Sequence, residues 1–546
     1  MNFFDLIIDT AVNYDVITFD VFDTLIIRDV IKPVDVFSQI GGEFFKLRRV
    51  FAEILSRKCT KEEDITLSEI YRFLPTDDLK KEIEEEYKVC RANLPIKAVF
   101  DELKRQGKHI YAISDMYLPK DVIQTILKKN GYEVDDIFVS SEYRKSKSTG
   151  TLFEVFLKTT GFESKNVLHI GDNKKSDVEG ACKANIKGVL IPKRENLLLY
   201  SKIHKGNMKY KGFINNQLHE IDNRCERIGY EILGPILVGF CQWLNKSKSN
   251  YGFEKLFFMS RDMRLPFEVY CRLYGKQDCE YLYVSRKSLQ SALDDSGNLC
   301  KYLEKIGFSG KIAVVDTGWR CVAQAILEHY AQKNNPETTV GGLYMGAKTG
   351  FKYIKRGGES DSCFYKTDIE MIKSQTYSSL IEEMLGQIEA KVVSYDDLGE
   401  PVFEEENKNI KNMACLQNGA MKFVCDWTCL KNNQEIDYKD AIKSYIKFAD
   451  SPHSEDIELF GDSEYDDVKT TRIVNYDENG YGIKNVIKWL MDLRFSAWKG
   501  AYFIKSFGKL YAIPYLAYLI LDSLMLAYID RKTFKNKTIE QLKEFY

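Results

Sequence analysis

Five residues in the first third of the chain, Asp20, Ser114, Lys147, Asp172 and Asp177, could together move a phosphoryl group. An apolar run, Val16-Ile17-Thr18-Phe19, delivers Asp20, and the turn after it holds Asp23 and Thr24. Ser114-Asp115 comes next, then Lys147 in the polar loop Arg144 to Gly150, then Asp172 and Asp177 after Ile170-Gly171. Two carboxylates at one sheet edge can hold Mg2+, which prefers oxygen ligands and keeps several waters. A lysine beside them would spread the charge of the transferring group, and a serine hydroxyl would hydrogen-bond its oxygens. An aspartate there is free to attack phosphorus and form an aspartyl phosphate that water hydrolyses. Taken singly, each residue has an ordinary use: Asp20 and Ser114 in turns or caps, Lys147 as a solvated charge, Asp177 as a helix N-cap. Their shared position after successive strands joins them.

Such positions need a parallel sheet. The first 200 residues alternate strand-like runs with helical periods, which predicts one with crossover helices. After the Asp20 strand, further strands are expected at His109 to Ile113, Ile137 to Ser140 and Val167 to Ile170. Helices are expected at Pro95 to Gln106, Lys120 to Asn130 and Thr151 to Thr159. Between the first two strands, Pro33 to Ile96 reads as helices only: Val34 to Ile54, Thr66 to Phe73 behind a Thr66/Glu69 capping box, and Asp77 to Asn93. An insertion there, about 33–95, would cover the sheet's C-terminal edge and shed water from it.

At 546 residues the chain is too long for one core. A net charge of −2 speaks against a nucleic-acid binder, which carries a basic excess. The 13 cysteines are scattered, and Cys182, Cys241 and Cys321 fall in apolar helical patterns, as small buried hydrophobes of a reducing compartment do. Cys415, Cys425 and Cys429 fit no common zinc spacing. Met1 to Asp9 has acids and no basic n-region, so a signal peptide is not expected and a cytoplasmic location is.

The motifs Phe19-Asp20-Val21-Phe22-Asp23-Thr24-Leu25, Ala112-Ile113-Ser114-Asp115, Lys147 (with Lys145 as fallback) and Ile170-Gly171-Asp172 with Asp177 resemble those of the haloacid dehalogenase-like (HAD) superfamily of phosphatases and related hydrolases. The resemblance spans residues 14 to 195. It implies a Rossmann-like domain over 1–200 with a small cap and Mg2+ as cofactor, acting on a small phosphorylated metabolite. It makes Asp20 nucleophile and metal ligand, lends the Phe22 carbonyl to the metal, makes Asp172 a direct ligand and Asp177 a support. Ser114 and Lys147 would serve catalysis, with Thr24 and Asp115 on the substrate. One position departs from the pattern. Family phosphatases carry a second Asp two residues after the nucleophile as general acid; here Phe22 stands there and Asp23 follows it. An aromatic at that position is what family dehalogenases carry, but their fourth motif lacks Gly-Asp-x4-Asp. Phosphate chemistry with Asp23 or a substrate group as acid is therefore expected, a phospho-ligand binding or scaffold role being the alternative.

Pro192 to Asn216 is basic, with Lys193, Arg194, Lys202, Lys205, Lys209 and Lys211, and reads as a linker with phosphate binding as the alternative. A second α/β region, 201–352, follows, with strands at Lys255 to Met259, Tyr281 to Val284 and Ile312 to Val315. They end in Ser260-Arg261-Asp262, Ser285-Arg286 and Asp316-Thr317-Gly318-Trp319-Arg320. Arg261, Arg286 and Arg320 at strand ends make an anion site, or are paired within the fold to Asp262 and Asp316. The whole layout resembles the two-part predicted HAD hydrolases of bacterial surface-polysaccharide loci, and the Asp-Thr-Gly loop faintly resembles phosphoribosyltransferases. A sugar phosphate as substrate, a glycosyl- or phosphoribosyl-type transfer in the second region, and association with a glycosyltransferase or the inner membrane follow as expectations from that resemblance. Residues 353–546 read as mostly helical. Ala512 to Ile529 is apolar apart from Asp522 and Ser523 and reads as a buried helix, with surface attachment to a membrane or a spanning helix as the alternatives.

Overall fold

Val16-Ile17-Thr18-Phe19 lacks the alternation of a half-exposed strand, as a strand covered on both faces should. The computed structural model describes residues 3–201, 209–294, 296–319, 322–348, 353, 357–364, 368–386, 390–404, 411–431, 433–466, 470–477 and 485–535. The chain divides into two units, one of 1–197 with 206–220 and one of 198–205 with 221–546. The first contains β1 (Val16–Phe19), β2 (Ile26–Arg28), β3 (Cys90–Ala92), β4 (His109–Ser114), β5 (Asp136–Val139), β6 (Val167–Gly171) and β7 (Lys187–Leu190). Five of them form a parallel sheet in the order β5-β4-β1-β6-β7. Side chains alternate across it: Ile17, Phe19, Ile110 and Ile170 pack on one face, Val16, Ile113, Phe138 and Val167 on the other, all buried. The chain runs from β1 out to β5, then returns to add β6 on the far side of β1. That reversal leaves a crevice beyond the ends of β1 and β6, where open sheets bind ligands.

The insertion is helical, as expected, at Asp35–Cys59, Leu67–Ile70 and Asp77–Val89, and Thr66 with Glu69 forms the capping box. It is not helical throughout. Cys90–Ala92 is β3, not a helix end, and pairs antiparallel with β2, so a two-stranded ribbon carries the cap. Inside the cap Arg49 and Glu82 are fully buried and share two hydrogen bonds, of 2.7 and 2.8 Å, while the Tyr71 hydroxyl donates to Glu82 at 2.8 Å. Removing one partner of a buried pair strands the other charge. Arg49→Met is therefore expected to destabilise the protein by about 3–5 kcal/mol, read as a lowered denaturation midpoint.

Lys209–Leu218, expected within the linker, is a helix of the first unit.

The second unit builds another parallel sheet from β8 (Leu256–Met259), β9 (Cys279–Leu282), β10 (Lys311–Trp319), β11 (Thr339–Ala347) and β12 (Ser360–Phe364), in the order β12-β11-β10-β8-β9. Its central strand is the third in sequence, where that of the first sheet is the first, so the two sheets are wound differently. β12 lies beyond residue 352, in the stretch expected to be mostly helical. An edge strand pairs on one side and tolerates the polar Ser360-Asp361-Ser362. Two short antiparallel strand pairs, Val392–Tyr395 with Pro401–Phe403 and Glu464–Asp466 with Thr470–Arg472, also interrupt the helices that follow. The helix Ala512–Phe534 is mostly exposed, not buried. Cys241 is buried, Cys182 is exposed on the short helix Gly180–Lys183, and Cys321 lies outside the described residues.

Candidate active site

Asp20 leaves β1 with its N–H donating to the Ile170 carbonyl at 2.9 Å, so the backbone after β1 is tied to β6. The following turn is closed by Ile26 N–H on the Val21 carbonyl (2.8 Å) and Asp23 N–H on the Ile26 carbonyl (2.7 Å). Asp23 takes a left-handed conformation, φ 60°, which Asp tolerates better than most residues. The Asp20 carboxylate is gripped at both oxygens. Lys147 Nζ donates to Oδ1 at 2.5 Å and the Thr24 hydroxyl to Oδ2 at 3.2 Å.

Lys147 is itself only 2% exposed and also donates to Asp177 Oδ1 at 2.6 Å. Its loop is held from two directions. Asp115 accepts the Lys147 N–H at 2.8 Å and the Ser146 hydroxyl at 3.3 Å. From the cap, Glu69 accepts both Arg144 Nη groups at 2.7 Å, and Glu63 accepts the hydroxyls of Thr149 and Thr151 and the Ser146 N–H. Those bonds outweigh burial and hold the Glu63 carboxyl at about 2; Arg144 does the same for Glu69. Gly180 is needed here because a Cβ would stand 2.1 Å from the Lys147 carbonyl.

Asp177 sits in a wide helical turn over the end of β6, and a Cβ on Gly171 would stand 2.3 Å from its carboxyl. Thus the glycine before Asp172 makes room for Asp177. His169, two residues before Gly171 and on the same face, lies 3.3 Å from Asp177 through Nε2 and 2.8 Å from the Thr18 hydroxyl through Nδ1. Burial pushes the His169 pKa down, so the ring is neutral, Nε2–H donates to the carboxylate and Nδ1 accepts from Thr18. Neither His169 nor Thr18 was singled out in the sequence; the alternation of β6 beneath Gly171 is the signal that could have found His169.

Asp20, Phe22, Asp23, Ser114, Asp115, Lys147, Asp172 and Asp177 line one cavity of about 370 Å³, joined by Lys193 from the segment after β7. Lys193 Nζ lies 3.9 Å from Asp172. Thr24 does not line it; its part is to orient Asp20. Phe22 packs against the core, with the Arg28 guanidinium 4.0 Å above its ring and Arg28 paired with Glu86 of the cap. Asp23 is exposed at the cavity, and its side chain makes no hydrogen bond among the described residues.

The charges do not balance. Carboxylate oxygens of Asp20, Asp172 and Asp177 lie within 4.8 Å of one another, against the buried Lys147 ammonium and the exposed Lys193, 3.9 Å from Asp172. Burial, with Asp177 and Asp172 adding to it, pushes Asp20 up to about 7 against the pull of Lys147. Burial and the Asp23 charge bring Asp172 to about 6. Asp177 goes the other way, held well below the usual carboxylate range by Lys147 and His169 although burial opposes it. An all-oxygen donor set short of positive charge fits a hard divalent cation such as Mg2+.

Arg261 and Arg286 belong to the second unit. Arg261, after β8, is left-handed at φ 71°, and its N–H donates to the Tyr281 hydroxyl at 2.8 Å. Arg286 begins the helix Arg286–Asp294 and acts electrostatically on Asp316, which burial and Asp262 raise to about 6. The Thr317 hydroxyl donates to Asp262 at 3.4 Å; Asp262 follows β8, whereas Asp316 lies inside β10, which runs on to Trp319 beyond the expected end at Val315. Arg320 lies outside the described residues.

Among solved structures, a HAD family enzyme of Bacteroides thetaiotaomicron in complex with magnesium and inorganic phosphate is 16% identical, covering 34% of this chain and 97% of that one at a TM-score of 0.27. A predicted phosphoglycolate phosphatase of Haemophilus somnus is 19% identical over 32% of this chain and 83% of its own, TM-score 0.25. A HAD phosphatase of Thermococcus onnurineus is 15% identical over 38% and 97%, TM-score 0.26. A search of curated proteins finds no match. Over residues 14–185 the sequence matches the family model described as haloacid dehalogenase-like hydrolase.

Proposed function

We propose that the first unit is a Mg2+-dependent phosphohydrolase for a small phosphorylated metabolite, with Asp20 as nucleophile. The convergence of Asp20, Asp172 and Asp177 around buried Lys147 carries this reading. Bound Mg2+ would be held by these carboxylates and supply positive charge to the phosphoryl oxygens. The chain's own groups do the rest. Lys147 and Thr24 fix the plane of the Asp20 carboxylate, which attacks phosphorus as the ester oxygen leaves. Ser114, at the end of β4, offers its hydroxyl to a phosphoryl oxygen. Asp23 gives the leaving oxygen its proton and then takes one from the water that hydrolyses the aspartyl phosphate. A sugar phosphate is the proposed substrate class, on the resemblance of the chain's layout.

Phe22 favours a second reading, displacement of halide from carbon, but that chemistry gives the three carboxylates no task. Phosphate release from p-nitrophenyl phosphate and from a set of sugar phosphates decides between them. Turnover is expected with Mg2+, with a loss of about 100-fold or more in EDTA that added Mg2+ reverses. No release from any ester, or release indifferent to EDTA, would sink the proposal; chloride release from 2-chloropropionate would favour the second reading.

A further inference from the structure

The helix Ala512–Phe534 is the one helix among the described residues long and apolar enough to cross a membrane. Its burial pattern is inverted for a soluble protein. Every exposed position from 512 to 529 is apolar or aromatic: Ala512, Ile513, Leu516, Ala517, Ile520, Leu521, Leu524, Met525, Tyr528 and Ile529. They recur at intervals of three and four, so they form one stripe about 26 Å long. The polar groups are on the other side. Ser523 and Asp530 are buried, and the Tyr515 hydroxyl donates to Asp450 at 2.8 Å. The Tyr515 and Tyr518 rings pack tilted against Phe503, their centroids 5.4 and 5.3 Å from its own.

That inward polar face argues against crossing. A spanning helix would have to surrender the Asp450 contact and carry Asp522 and Asp530 into hydrocarbon, which is costly. The helix is therefore anchored to the protein while its apolar side faces out. Contiguous exposed apolar patches of this extent mark an interaction surface. The charge around it selects the occupant. Exposed Lys509 precedes the stripe and exposed Arg531, Lys532 and Lys535 follow it. From 486 to 535 eight Lys or Arg stand against three Asp, in a chain whose net charge is −2. An apolar stripe with basic residues at both ends matches a bilayer surface with anionic headgroups, acyl chains under the stripe and phosphates at its ends. The helix Val486–Phe495 adds exposed Val486, Ile487, Leu490 and Met491, and its Trp489 packs on the same Phe503.

We infer that this protein docks peripherally on an anionic membrane through the outer stripe of the helix Ala512–Phe534, lying in the headgroup layer without crossing it. Flotation of the full chain with vesicles of phosphatidylcholine alone, or mixed equally with phosphatidylglycerol, tests this. The wild type is expected to float with the mixed vesicles. Ile520→Glu combined with Leu524→Glu, at exposed positions that leave the packed face intact, should lower partition at least about tenfold with unchanged circular dichroism. Arg531→Glu combined with Lys532→Glu should lower it by a similar factor and flatten its salt dependence. Wild type that stays unbound to both vesicles, or a Glu pair that floats like wild type, overturns the inference. So does a dimer, seen by light scattering, that the Glu pair dissolves while vesicles go unbound; the stripe would then belong to a second copy.

Discussion

Asp20→Asn is expected to lower phosphate release by at least about 1,000-fold while leaving the fold intact. The amide keeps the shape of the carboxylate, its oxygen can still accept from Lys147 while its NH2 donates to the Thr24 hydroxyl oxygen, but it cannot attack phosphorus. Stability separates this outcome from misfolding. Asp20 titrates at about 7 in the fold against 3.8 for the free side chain, because burial and two neighbouring carboxylates disfavour its charge. The folded state therefore binds a proton that the unfolded chain releases, so the Asp20 contribution to stability falls as pH rises from about 4 through 7. Measured in EDTA, the Asn variant should melt no lower than wild type at pH 8 and lose its relative advantage toward pH 4. A variant inactive and also much less stable at pH 8 would mean that Asp20 supports the fold instead. Activity close to wild type would remove it as nucleophile.

The parts of this site visible in the sequence are those written locally. A covered strand shows as an unbroken apolar run, and the residue after it stands at the sheet's edge whatever the rest of the chain does; hence Asp20, Ser114 and Asp172 lie where expected. The supports are non-local and were missed. His169 looks like any polar residue in a strand until Asp177 folds over Gly171 and brings its carboxylate to the ring. Glu63 and Glu69 clamp the Lys147 loop across a sequence distance of some 80 residues, which no local period records. β3 was hidden because Cys90-Arg91-Ala92 continues a helical pattern and becomes strand only by pairing with β2. The same holds for β12, an edge strand with too few apolar residues to stand out. The long terminal helix misled for a different reason: apolar composition implies removal from water, and here the covering surface is not the protein's own interior.

The position of Asp23 makes the second large effect depend on the leaving group. Phe22 fills the place two residues after the nucleophile, and its ring lies under Arg28, so no acid can act from there. Asp23 is exposed on the same cavity and close enough to Asp172 for its charge to be felt. Its left-handed backbone, closed by the Ile26 carbonyl, turns the residue after Phe22 back toward the crevice. If Asp23 protonates the departing oxygen, its removal costs most where that oxygen leaves as a strong base. Asp23→Asn should therefore lower kcat about 100- to 10,000-fold on an alkyl phosphate such as a sugar phosphate. On p-nitrophenyl phosphate, whose phenolate leaves without a proton, attack by Asp20 should slow less than tenfold, measured as the first-turnover burst of nitrophenolate. Equal losses in the first turnover on both substrates would show that Asp23 positions the site or tunes Asp172 instead of donating a proton. Unchanged rates on both would pass the proton to a group of the substrate itself, and Phe22 would then mark an enzyme that selects substrates able to supply their own acid.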